Sequence, residues 1–323
     1  MNLFDLHCDT LYECCETGKP LRDGGFAVSR AAAKQFGHYA QFFALFCGAR
    51  APSDALAKGR HSLLDTPPDE RLERMLRTAA REFAANADWL RFCRSAEDFE
   101  EAARQGKSAA LLSIEGAELL PDRPDALEIA YEAGIRLITL TWNYSSRFGC
   151  PATVDQQAGL TDEGRALVRG CAQAGIIIDV SHLSEQGFWD VCEQTDRPFV
   201  ASHSNARAMC RHPRNLTDEQ ISEIVRRRGL IGVNLYTPFL VRQTQCTLDA
   251  VLDHIEHFLG FVGAEHHIAL GCDLDGCDEL PAGVDGLADL PKLAECMLQK
   301  GYKESTVNAL FYDNARAFVH KML

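Results

Sequence analysis

Four times along the 323-residue chain the same unit recurs: a helical stretch, a glycine, and a short apolar strand that runs out into polar residues. Residues 103–106 lead into 108–115, 131–134 into 135–143, 172–175 into 176–182, and 226–229 into 230–236. A glycine suits the left-handed turn that ends a helix and returns the chain to a strand. Strands that are apolar throughout, with little alternation, belong to a parallel sheet covered on both faces. Further stretches of this kind lie at 2–7, 39–46, 198–202 and 267–272. Helical periodicity fills the gaps. Residues 68–92 carry Leu72, Met75, Leu76, Ala79, Phe83 and Leu90 on one face, and 161–174, 184–195, 217–228 and 247–262 follow. Thr161, Ser184, Thr217 and Thr247 stand where helix N-caps are expected. Eight strands alternating with helices predict one (β/α)₈ TIM barrel over residues 1–323. The alternative, an open doubly wound sheet, would carry a G-x-G-x-x-G turn after a strand, and the chain has none. Residues 18–35 and 48–68 read as loops, and helices at 287–300, 303–310 and 312–320 are expected to close the barrel.

A net charge of −13 argues against a nucleic-acid or anionic membrane surface. No apolar run reaches the length of a membrane span. The thirteen cysteines form no C-x-x-C pair and read as reduced thiols used as small apolar residues. With candidate site residues from position 7 onward, a cleaved leader is not expected, and the cytoplasm is the expected compartment. The sequence leaves a homodimer open.

The polar residues at the strand ends are of a special kind. His7 and Asp9 end the first strand; two residues apart, they point to one face. Glu115 ends the third, His182 the fifth, His203 the sixth and Asp273 the last. Taken singly, each has an ordinary explanation, as a strand-end polar group, a core histidine or a loop carboxylate. Together they place three imidazoles and three carboxylates at the C-terminal ends of barrel strands, where such folds build active sites. Three imidazoles and two carboxylates can hold two divalent ions if one carboxylate bridges them. Such ions turn a shared water into hydroxide near neutral pH and polarise a carbonyl. A further carboxylate can pass a proton to a leaving amine. That is the chemistry of amide hydrolysis.

The motifs that carry these residues resemble, nearly end to end, the membrane (renal-type) dipeptidases, peptidase family M19 of the amidohydrolase superfamily. They are Asp5-Leu6-His7-Cys8-Asp9, Ile114-Glu115-Gly116, Gly159-Leu160-Thr161, Ile178-Asp179-Val180-Ser181-His182, Ser202-His203-Ser204, Pro213-Arg214-Asn215 and Gly271-Cys272-Asp273-Leu274-Asp275-Gly276. The resemblance implies two Zn²⁺ ions, one on His7 and Asp9 and the other on His182 and His203, bridged by Glu115. It implies Asp273 as the proton-transferring residue and Arg214 as the grip on the substrate's C-terminal carboxylate. Tyr236 falls where the family has an aromatic lining the pocket. One position departs: after Leu140-Thr141, where better-known members have a substrate-contacting His, this chain has Trp142, followed by Asn143. The implied activity is hydrolysis of a small dipeptide, with a D-residue tolerated at its C-terminal position. Two alternatives remain open here: a metal-binding barrel without hydrolase activity, and an amidohydrolase for N-acyl amino acids or lactams.

Overall fold

The protein is described by a computed structural model over residues 1–48, 66–242 and 245–323. Nine strands form one parallel sheet: β1 (Leu3–Cys8), β2 (Tyr39–Phe46), β3 (Leu90–Phe92), β4 (Ser108–Glu115), β5 (Ile135–Thr139), β6 (Ile177–Asp179), β7 (Val200–Ala201), β8 (Leu230–Val233) and β9 (Ile268–Leu270). β2 pairs with both β1 and β4, and β1 also pairs with β9, so eight strands close into a barrel. β3 stays outside the ring, paired with the start of β4 through Leu90–Ser108 and Phe92–Ala110. The expected (β/α)₈ architecture is present, with an extra strand.

That strand corrects the expected helix over 68–92, which ends at Ala85. Leu90 continues the apolar spacing of the helix, but the chain turns first. The Asn86 side chain donates to the Glu82 carbonyl at 2.8 Å and accepts from the Trp89 indole at 2.7 Å, which ends the helix and starts a turn. The loop expected at 18–35 contains a one-turn helix, Arg30–Ala33, capped by Ser29. Of the loop expected at 48–68, residues 49–65 lie outside the described residues. Thr161, Ser184 and Thr217 cap their helices through their hydroxyls, Thr217 as part of a capping box with Gln220, while Thr247 makes no such bond.

Three of the four repeat glycines, Gly106, Gly134 and Gly175, are left-handed as expected. Gly229 is not. Arg228 takes the left-handed turn instead, at φ 59°, and a Cβ on Gly229 would overlap the Phe199 carbonyl oxygen. At this turn the glycine serves close packing, not dihedral freedom.

Inside the barrel, Phe4, Leu6, Phe42, Leu111, Leu137, Ile177, Val200 and Leu230 form one buried cluster with Phe318, Val319 and Met322. The last helix, Asn314–Met322, is therefore the floor of the barrel. Asn314 fastens it by donating to the carbonyls of Glu265 and Ile268 at 2.8 Å each. It continues without a break from Glu304–Asn308 through a wide turn at Ala309–Asp313, where two separate helices were expected. No disulfide joins any of the thirteen cysteines, nine of which are buried. Among the described residues no helix is long and apolar enough to cross a membrane.

β7, β8 and β9 crowd the backbone just ahead of His203, since a Cβ on Gly271 or Gly232 would overlap the Ser202 carbonyl oxygen. Gly271→Ala is expected to destabilise the fold by about 1–3 kcal/mol through overpacking. Urea unfolding at unchanged midpoint would show that the strands have room to spare.

Candidate metal centre

The ligand-type residues all arrive at the C-terminal mouth of the barrel. His7 sits on β1 and Asp9 just after it, Glu115 ends β4, and His182, His203 and Asp273 follow β6, β7 and β9. The loop after β9 is stitched to β1: Asp273 N donates to the His7 carbonyl at 3.2 Å and Asp9 N to that of Leu274 at 2.9 Å. His182, Asp273 and Asp275 take left-handed backbones, with φ of 67°, 61° and 64°. Non-glycine residues adopt such dihedrals at a cost of order 1–3 kcal/mol, and three within one site are a cluster of the kind found at functional sites. Gly276 belongs to the same loop, and a Cβ there would overlap Asp9 Oδ2.

Glu115 stands between two groups of nitrogens. Its Oε2 lies 3.4 Å from His7 Nε2, while its Oε1 lies 2.9 Å from His182 Nε2 and 3.8 Å from His203 Nε2. On the far side of His7, Asp9 Oδ2 and Asp273 Oδ1 are 3.5 and 3.8 Å from Nε2. Two overlapping donor clusters result, His7–Glu115–His203 and His7–Asp9–Asp273.

The arrangement fits metal ions better than it fits hydrogen bonds. His182 Nδ1 faces the Asn143 amide oxygen at 2.9 Å and His203 Nδ1 faces Ser202 Oγ at 2.7 Å. With its proton on Nδ1, each ring turns a bare Nε2 inward, and the two Nε2 atoms are 2.9 Å apart. Two lone pairs at that separation repel unless a cation lies against them. Both nitrogens of His7 and Oδ1 of Asp9 are buried without a hydrogen-bond partner among the described residues. Imidazole nitrogens with carboxylate oxygens are the donor set of zinc-class ions.

The electrostatics agree. Burial, and then the neighbouring charge of Asp9, pushes the Glu115 carboxyl up to about 8. Asp9 is raised by burial, and against burial the charges of Glu115 and Asp9 carry His7 well above its ordinary value. Burial, then positive neighbours, holds His182 and His203 well below theirs. A divalent cation would reverse the carboxylate shifts by favouring the ionised form.

A cavity of about 430 Å³ opens over this cluster. Its lining is rich in carboxylates, with Asp9, Glu13, Asp275 and Asp278, and in aromatic rings, with Tyr12, Phe46, Trp142, Tyr236 and Phe239. Trp142 packs edge-on against Phe46 and Tyr144, with ring centroids 4.7 and 5.5 Å apart. Asn143, beside it, spends its amide oxygen on His182 while lining the cavity. Arg214 does not line the cavity. It is 4% exposed, its Cζ lies 5.3 Å from the centre of the Phe239 ring, and its Nε and Nη2 have no partner among the described residues. Burial lowers its pKa to about 10 against the charges of Asp273 and Glu115. A wider cleft of about 730 Å³, flanked by Cys246 and residues 277–285, shares Asp278 with the first cavity.

Four supporting residues had no role assigned from sequence. Asp179 and Asp5 are fully buried carboxylates within apolar strands, itself an anomaly readable in the sequence. Asp5 accepts from Cys272 N at 2.8 Å and is raised to about 6 by burial. Ser202 joins Asp179 to His203, and Asn234 Nδ2 donates to Asp273 Oδ2 at 3.0 Å. Their roles depend on contacts between strands, which no local pattern encodes.

A family model described as membrane dipeptidase (peptidase family M19) matches residues 1–320. A metallopeptidase from Rhodobacter sphaeroides, solved with a phosphinate mimic of the dipeptide L-Ala-D-Ala, has a similar structure at TM-score 0.86 and 28% identity, covering 100% of this chain and 99% of that one. An uncharacterised Klebsiella pneumoniae protein from the pqqA 5′ region is 36% identical over 72% of this chain and 88% of its own length. An uncharacterised Acinetobacter calcoaceticus protein from the PQQ-III 3′ region is 36% identical over 58% of this chain, and the match spans 63% of that protein's length.

Zinc titration followed by calorimetry is expected to show uptake that releases protons at pH 7, because the cation must displace the proton held by Glu115 at a pKa of about 8. Affinity should therefore climb as pH rises toward 8. Glu115→Gln should weaken all zinc uptake together, and a variant that keeps wild-type uptake would remove Glu115 from the bridging position.

Proposed function

Because the chain belongs to the membrane dipeptidase family, peptidase family M19, a family of metallo-dipeptidases, we propose that it hydrolyses the peptide bond of dipeptides with two zinc ions bound. The observation that carries this reading is Glu115, whose two carboxylate oxygens face His7 on one side and His182 and His203 on the other. In this reading His7 and Asp9 hold one ion, His182 and His203 the other, and Glu115 both. When bound, the ions supply an acidified water and polarise the scissile carbonyl.

The chain's own residues do the rest. Asp273, oriented by Asn234, moves a proton to the leaving amine. Arg214, set behind the cavity-lining Phe239 ring with Nε and Nη2 lacking a partner among the described residues, is the group assigned to the substrate's C-terminal carboxylate, since a fork of N–H donors matches that group. The carboxylates of Glu13, Asp275 and Asp278 in the cavity lining draw the free N-terminal ammonium, which favours a dipeptide over an N-acyl amino acid or a lactam. A cavity of about 430 Å³ admits a small ligand and little more. Trp142 and Tyr236 narrow it. A D-residue at the C-terminal position is consistent with the L-Ala-D-Ala mimic held by the Rhodobacter sphaeroides relative. Thirteen cysteines with no disulfide among them support a reducing compartment, the cytoplasm.

Arg214→Ala should raise KM by about one to two orders of magnitude, the loss of a charge-assisted contact of roughly 1.5–3 kcal/mol. Amidating the dipeptide's C-terminus should do the same to the wild type; equal cleavage of amide and acid would contradict the clamp. Asp273→Asn should lower kcat with zinc content unchanged. Trp142→His should widen the range of dipeptides cleaved in a screen of L,L and L,D substrates. An unchanged profile would show that the indole does not limit the pocket.

A further inference from the structure

His203 is one of two imidazoles whose Nε2 atoms meet at 2.9 Å, so its tautomer decides whether it offers a lone pair or a proton there. The other ring, His182, is set by a neutral amide, Asn143. Behind His203 stands something different, a fully buried carboxylate reached through one hydroxyl. Asp179 Oδ1 accepts from the backbone N–H of Ser181 at 2.9 Å and of Ser202 at 2.8 Å. Its Oδ2 accepts from Thr139 Oγ1 and from Ser202 Oγ, both at 2.6 Å. Four donors fill both oxygens, the full complement of an ionised carboxylate.

The consequence falls on Ser202. Its hydroxyl has one proton, and that proton is committed to Asp179. Toward His203 Nδ1, 2.7 Å away, Ser202 Oγ therefore presents only lone pairs, and the ring must carry its proton on Nδ1. The same carboxylate ties three neighbouring strands, because Thr139 ends β5, Asp179 ends β6 and Ser202 follows β7. Register and tautomer are thus set by one group.

We propose that Asp179 and Ser202 are positioning residues that lock His203 as the Nδ1–H tautomer and so fit its Nε2 to bind a cation. This rests on the reading of the site as a metal centre. The carboxylate also makes His203 a stronger donor than His182, which has only an amide behind it.

Two variants separate this role from simple structural support. Ser202→Ala removes the relay and leaves both backbone bonds to Asp179 in place. Asp179→Asn keeps the shape, but its amide N–H₂ now faces Ser202 Oγ and frees the serine proton to point at His203. The ring is then expected to move its proton to Nε2, the outcome of carboxylate-to-amide exchange behind an imidazole in a catalytic triad. The full chain, labelled with ¹⁵N-histidine, is measured metal-free by NMR for the tautomer of His203 and then titrated with zinc against a competing chelator. The wild type should show Nδ1–H and take up two ions. Both variants should lose 10- to 100-fold in affinity for one ion and keep the other, with the Nε2–H tautomer appearing in Asp179→Asn. If Ser202→Ala retains both the tautomer and both affinities, the relay is refuted. A wild type that takes up no zinc refutes the metal centre, and the His203 tautomer in the variants then decides the relay alone. Should Asp179→Asn fail to fold, the tautomer and zinc affinities of Ser202→Ala still separate a relay from structural support.

Discussion

A carboxylate buried among three imidazoles is costly to assemble, and much of the rest of the molecule bears on how Glu115 is held in that position. Water would solvate these groups far better than the protein interior does, and burial is the largest cause that raises Glu115 and Asp9 and lowers His182 and His203. Such a cluster persists only where the surrounding backbone leaves it no alternative. Closure of the barrel supplies that constraint. Strands that are distant in sequence deliver their C-terminal residues to one mouth, and the loop after β9 is hydrogen-bonded back to the chain at His7 and Asp9. Left-handed backbones at His182 and Asp273 are part of the same arrangement, local strain held in place by packing elsewhere.

The packing that opposes this strain lies at the other end of the barrel. Phe318, Val319 and Met322 on the last helix seal the floor against the inward residues of β1, β2 and β4 through β9. Burial of this apolar cluster is the hydrophobic counterweight to a polar mouth. The two ends of one barrel therefore do opposite work. The floor is ordinary core, tolerant of volume-conserving exchange, whereas the mouth depends on individual atoms.

Between the mouth and solvent, acidic and aromatic side chains border the cavity together, and Arg214 lies over the Phe239 ring. The carboxylates at the cavity and the guanidinium at Phe239 match in sign the ammonium and the carboxylate of a zwitterionic ligand. The overall charge of −13 is of little consequence by comparison, since what a small ligand meets is the local field.

The chain's own pattern of apolar strands, each led in by a helix and a glycine, was enough to determine a parallel barrel, because strand burial on both faces has few other solutions. It also determined which residues stand at the strand ends: His7, Glu115, His182, His203 and Asp273 are all carried by recognisable motifs. Helix caps were legible at Thr161, Ser184 and Thr217 because capping is local, over three residues. β3 was not, because the apolar spacing of helix and strand coincides at Leu90 and only the turn at Asn86 separates them. The role of Gly229 was not legible either, because its crowding comes from Phe199, on a different strand connection. Tertiary structure alone decided that Arg214 lies over Phe239 and outside the cavity lining, that Asn143 is turned onto His182, and that Asp179 reaches His203 through Ser202. Each is an angular relation between side chains on different strands. Hydrogen bonds weaken steeply over a few tenths of an ångström or a few tens of degrees; sequence spacing specifies which strand a residue ends, and the closed barrel sets the rest.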